Sequence, residues 1–151
     1  MSKWGYFGLV FTGAISAIGI YFTNYWTSPI DVYPGGNGNV ALFPIFLATP
    51  FIILFVAMLF VFFDRILQRT STKLTGIMAL ATALFVVVIS VVSVNNARAL
   101  DLIDAYGGRL EGLGLFNSHT NSAFFHVGTF FVIICVGFLL PALVRLLERK
   151  K

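Results

Sequence analysis

Few side chains in this sequence are able to do chemistry, and their spacing limits what they can do. There are two histidines, His119 and His126, and one cysteine, Cys135. On a helix, seven residues bring two imidazoles to the same face but leave them about 10 Å apart along the axis. Two histidines that share one metal on a helix stand four apart, so a common ion is not expected. A bis-histidine haem would need a second ligand from another helix, and no third histidine exists. His126 therefore reads as a polar side chain hydrogen-bonded near a membrane interface. It and Thr49 are the candidates for a polar intramembrane site, with no cofactor and no metal expected.

Asp101, Asp104, Glu111 and His119 lie close enough in sequence to suggest a divalent-cation cluster. Arg98, three residues before Asp101, fits an ordinary helix-surface pair instead, and a solvated face is the simpler reading. Thr49-Pro50 and Pro141 interrupt the helical hydrogen-bond ladder and release the carbonyls of Phe46 and Gly137. Transporters use broken helices at ion sites, but prolines in membrane helices more commonly make kinks. No carboxylate sits in the middle of an apolar stretch, so a proton-coupled exporter would lack its titratable group. Nor is there a Ser-His-Asp order, a zinc spacing, a phosphate-binding glycine loop or a pair of catalytic carboxylates. An enzyme is not expected.

The elements that position these residues follow from composition. Of 151 residues, 58% are hydrophobic and 11% charged, with a mean hydropathy of +0.92. A soluble fold has roughly 45–50% apolar and 25% charged residues. A globule of this size could not hide so much apolar surface from water. No charged residue occurs between Lys3 and Asp31, Asp31 and Asp64, Lys73 and Arg98, or Glu111 and Arg145. Each stretch exceeds the roughly 20 residues needed to cross a bilayer as a helix, and runs such as Phe51 to Phe63 lack the alternation of a membrane barrel. The expected fold is an all-α polytopic membrane protein, a four-transmembrane-helix bundle forming one integral membrane domain over 1–151. Its spans fall at about 4–26, 40–63, 74–95 and 122–144, with outer loops 27–39 and 96–121 and an inner loop 64–73.

Trp4, Tyr6, Tyr25 and Trp26 bracket the first span as interfacial anchors do. The apolar run after Met1, Ser2 and Lys3 exceeds the 7–15 residues of a signal-peptide core, so it is expected to remain as a span. Lys3, Arg65, Arg69, Lys73, Arg145, Arg149, Lys150 and Lys151 fall on one side, against Arg98 and Arg109 on the other. That bias places both termini in the cytoplasm. The positive charge lies beside helix ends, where it faces anionic lipid, and without an aromatic-interleaved basic patch no nucleic-acid partner is expected. A multi-pass protein of a bacterial plasma (cell) membrane is the expected setting.

Between the first two spans, residues 27–39 are dense in turn formers. Ala97 to Tyr106 contains no helix breaker, and the third helix is expected to continue to about Tyr106 before Gly107-Gly108. Gly8, Thr12, Ser16, Gly19 and Thr23 make a small-residue stripe on the first span, and Thr75, Ala79 and Ala83 make another on the third. Such stripes let helix backbones approach closely in lipid, so both are expected to face inward. Phe46, Phe55, Phe62, Phe130 and Phe138 are expected on the outside, toward lipid or a partner. Thr49, Phe51, Ile53, Val56, Leu59, Arg65, Leu67 and Arg69 match the residues 80 positions later, and Thr12-Gly13 matches Thr75-Gly76 at an offset of 63, which raises an internal duplication. Two Phe-rich spans with basic ends match this well by composition alone.

A chain so poor in reactive groups is expected to act through helix packing. It reads as a small accessory or assembly protein whose partners are the lipid bilayer and either another integral membrane protein or a second copy. The alternatives are an oligomeric channel or facilitator, with its path beside the first-helix hydroxyls and Thr49-Pro50, and a redox or metal subunit using His126.

Overall fold

The structure, a computed structural model, describes residues 1–29, 39–100 and 115–148. Among the described residues four stretches are helical, long enough and apolar enough to span a membrane: Lys3–Tyr25, Val40–Leu67, Thr72–Ala99 and Asn121–Glu148. Helix α1 covers Lys3–Tyr25 and begins at Ser2, whose Oγ accepts the Gly5 N–H at 3.2 Å. Helix α2, Phe43–Leu67, follows a 3-10 turn at Val40–Leu42 and carries Pro44 in its first turn, where a missing N–H leaves no bond unmade. Helix α3, Thr72–Ala99, starts at Ser71, which caps the Leu74 N–H in the same way. The fourth stretch is a short α4, Asn121–Phe124, and a long α5, Val127–Glu148.

Interlocking pairs fix the directions. Gly19 lies against Ala48 and Gly8 against Met58, so α1 and α2 run antiparallel. Phe55 stacks on Phe130, Phe63 meets Phe138 edge-on and Gly137 faces Leu59, so α2 and α5 run parallel. Gly76 near Leu146 and Ser93 near His126 make α3 antiparallel to α5. The neighbours follow the order α1, α2, α5, α3, and α3 rests chiefly on α5 and α4. Leu67, Ala79, Phe138 and Ala142 form the apolar cluster at the end that carries the termini. Beside it Arg145 Nε donates to Asp64 Oδ1 at 2.9 Å, and Gln68 Nε2 donates to Asp64 Oδ2 at 3.0 Å.

The small-residue stripe of α1 points inward: Thr12, Ser16, Gly19 and Thr23 are buried and Gly8 is half-buried. On α3, Thr75 and Ala79 are buried and Ala83 is half-buried. Of the phenylalanines expected outside, Phe46 is exposed, but Phe55 is 6% and Phe138 7% exposed. The correction has a steric reason. Glycines leave hollows that a ring fills: a Cβ on Gly13 would stand 2.8 Å from Phe55 Cε2. Phe62 and Phe130 are half-buried, and Phe130 stacks on Phe55 with ring centroids 5.7 Å apart.

Three local expectations also change. Helix α3 ends at Ala99, with Leu100 extended at φ −75°, ψ 105°, short of the expected end at Tyr106; residues 101–106 lie outside the described residues. Ala97 is its last buried residue. Pro50 and Pro141 both lie within continuous helix. The interruption in the fourth stretch comes instead at Phe125 and His126, where no proline stands. Finally, the order α1–α2 and α3–α5 is the one a duplication of hairpins would leave, yet the packing is not two-fold. Gly13 receives the Phe55 ring, whereas a Cβ on Gly76 would meet only Leu146, at 4.0 Å.

Candidate functional site

The described polar side chains with the most partners gather at the end of the bundle away from the termini. The segment from Leu115 to Thr120 leads into α4 as a hydrogen-bonded knot. Asn117 Oδ1 accepts the N–H groups of His119 (2.9 Å) and Thr120 (3.2 Å), a side chain imitating a backbone turn. Thr120 Oγ1 accepts the Asn117 N–H at 2.9 Å and lies 2.8 Å from the Leu115 carbonyl, to which it donates. His119 Nδ1 lies 3.2 Å from the Ser28 carbonyl and 3.1 Å from that of Pro29. Both are acceptors, so Nδ1 carries the proton and donates.

Asparagines tie the knot to the other helices. Asn39, before α2, and Asn121, at the start of α4, exchange two amide hydrogen bonds of 2.9 and 2.8 Å. Asn24 on α1 donates through Nδ2 to the Phe125 carbonyl at 2.6 Å and to that of Ser122 at 3.4 Å. The Ser28 N–H donates to the Ser118 carbonyl at 3.0 Å. Each bond joins segments distant in sequence, so this end is a polar clamp over an apolar bundle. It answers the requirement that backbone groups freed at helix ends find partners where water is scarce.

His126 occupies the break. Phe125 leaves helical geometry at φ −111°, ψ 86°. His126 then opens α5 as its cap: Nδ1 accepts the Gly128 N–H at 3.0 Å, and the His126 N–H reaches Thr129 Oγ1 at 3.4 Å. The Thr129 hydroxyl donates in turn to the Phe124 carbonyl. This is the reciprocal logic of a capping box, with an imidazole in place of a hydroxyl. Because Nδ1 accepts, the neutral ring holds its proton on Nε2 and donates to Ser93 Oγ on α3, 3.0 Å away. A cleft of about 290 Å³ opens on the α1 side between Ile20, Tyr21, Asn24, His126 and Phe130. Another of about 270 Å³ opens on the α3 side between Ile89, Ser93, Phe124 and Thr129.

The residues singled out from sequence are not brought to one place. His119 and His126 belong to the same polar end but hold different partners, and both His126 nitrogens are engaged. Among the described residues no three His, Cys, Asp or Glu side chains are close enough to hold a metal. Asp101, Asp104 and Glu111 lie outside the described residues. Thr49 is exposed, and its hydroxyl donates to the Ile45 carbonyl of its own helix at 2.8 Å. Ser16 is fully buried between helices, its Oγ 2.8 Å from the Thr12 carbonyl. Thr49 and Ser16 therefore face different surroundings, because one turns to the outside and the other to the packed stripe.

The chain matches no family model, and no curated protein or solved structure matches it either. Sequence reasoning missed Asn24, Asn39, Ser93, Asn121 and Thr129. A usable signal was present for the last: Thr129 stands three residues after His126, the spacing of a helix-start box. The cross-links of Asn24 and Asn39 join segments roughly 80 to 100 positions apart and carry no local signature.

Proposed function

We propose that this chain is a small accessory or assembly protein of a bacterial cell membrane that works by packing its helices against another integral membrane protein or a second copy. The observation that supports this is how its polar groups are used. The imidazole of His126 and the amides of Asn24, Asn39 and Asn121 hold helix ends together and present no reactive group. Helix α3 is held along one face, and only 11% of its most apolar stretch is buried, against 28% in α1. Leu80, Leu84, Val87 and Val91 form a continuous exposed row along it, at the spacing of a single helix face. Arg65, Arg69 and Lys73 at the end that carries the termini favour a cytoplasmic position for that end.

The test is photo-crosslinking in native membranes, with a reactive residue at Leu84 and a control at Val10 on α1. A protein adduct through α3 supports the proposal; a lone monomer with lipid adducts only would remove it. A transport reading retains one supporting observation, the two clefts flanking His126. Solute flux in liposomes that disappears in both His126→Ala and Ser93→Ala would favour it over the accessory role.

A further inference from the structure

His126 joins two helices, and both of its bonds belong to the neutral ring. Nδ1 takes the Gly128 N–H of α5, and Nε2 meets Ser93 of α3. Room around the ring is tight: a Cβ on Gly128 would stand 2.6 Å from His126 Cε1 and 3.3 Å from Ile89 Cγ2. The ring is wedged where only a glycine leaves space for it.

We infer that His126 is a pH-operated latch: neutral, it caps α5 and ties it to α3; protonated, it must release the Gly128 amide. A proton on Nδ1 converts the acceptor to a donor facing another N–H. It also places a cation at the positive end of a 22-residue helix. Both effects oppose the capped geometry. Nε2–H still reaches Ser93, so release falls on the α5 side, at the joint where Phe125 already departs from helical dihedrals.

Among the described residues no compensating charge faces the ring; Asp31, Asp101, Asp104, Arg109 and Glu111 lie outside them. Across the cleft α1 presents Tyr21 and Asn24. Helix α3 has no charged residue between Lys73 and Arg98, and α2 has none before Asp64. The segment before α4 contributes His119, turned to the carbonyls of Ser28 and Pro29. The described carboxylates facing α5, Asp64 and its own Glu148, lie toward the opposite end. Since the cap requires the deprotonated ring, the latch is closed while the ring is neutral and opens when acidification protonates it.

Nitrogen-15 NMR of the full chain in lipid nanodiscs tests this. At about pH 8 the His126 ring is expected as the Nε2–H tautomer. On acidification from there, once the ring nitrogens report the imidazolium, protection of the Gly128 amide from exchange, relative to the unstructured rate at the same pH, is expected to be reduced about fivefold, as loss of a typical cap implies. His126→Asn retains an N-cap acceptor without a titrating group, and its Gly128 protection is expected to stay constant over that range. An Nδ1–H tautomer at about pH 8 would overturn the inference, as would a ring that stays neutral down to the pH at which the chain unfolds. So would a protonated ring with Gly128 protection unchanged, or the same acid loss in His126→Asn. The wild-type measurements decide the matter even where the variant does not fold.

Discussion

Replacing Gly19 by alanine tests the close approach that organises α1 against α2. The new Cβ would lie 2.3 Å from the Ala48 Cβ and 3.3 Å from the Pro44 carbonyl oxygen. Carbon atoms in contact stand about 3.5–4.0 Å apart, so the two backbones must part by about 1.2 Å or more. Neither atom belongs to a flexible side chain that could swing away, and the shift loosens the neighbouring Gly13–Phe55 contact as well. Overpacking of this kind costs about 1–3 kcal/mol. Alanine also favours the helix by about 1 kcal/mol over glycine, which offsets part of the cost. Gly76→Ala has the same backbone benefit without the clash, since its Cβ would meet only Leu146, at 4.0 Å. The difference between the two variants therefore isolates the steric cost, expected near 3 kcal/mol. Unfolding in mixed micelles followed by circular dichroism measures both. The double variant Gly19→Ala with Ala48→Gly places the new Cβ 3.8 Å from the Cα of residue 48, and a coupling of about 2 kcal/mol is expected. Strictly additive effects, or a Gly19→Ala as stable as Gly76→Ala, would refute the proposed helix contact.

Asn121→Ala leaves the Asn39 amide without its partner in a buried setting and is expected to destabilise by about 1–3 kcal/mol, with Asn39→Ala adding little to it; unfolding of the two singles and the double measures this. The Thr23 hydroxyl is fully buried and makes no hydrogen bond among the described residues. Thr23→Val is therefore expected to be neutral or to raise the unfolding midpoint, whereas Thr49→Val on the exposed face should change stability by no more than about 0.5 kcal/mol. Cysteines introduced at Gln68 and Ser118 in a Cys135→Ser background should react with an impermeant reagent from opposite sides of the membrane, Ser118 from outside intact cells; labelling of both from one side would reject the orientation inferred from the basic residues.

The sequence determined the number of long apolar helices, because lipid compatibility requires about 20 uncharged residues whatever the packing. The stripe Thr12, Ser16, Gly19 and Thr23 was readable for a related reason: periodicity along one helix is local, and small side chains have a use only against another backbone. What lay opposite each small residue was not readable. Phe55 and Phe138 turn inward because glycines and short side chains on other helices leave hollows for them. No count of phenylalanines along one span contains that information. The polar site was readable only as single residues. Its partners, Ser93 with His126, Asn39 with Asn121 and Asn24 with Phe125, come together from distant parts of the chain. They meet because the order of helix packing sets which ends are adjacent, and tertiary structure alone decides that order. The same holds for the break before α5. Prolines marked two other places, but the chain leaves the helix where Asn24, Ser93 and Thr129 offer its freed backbone and imidazole groups something to bind.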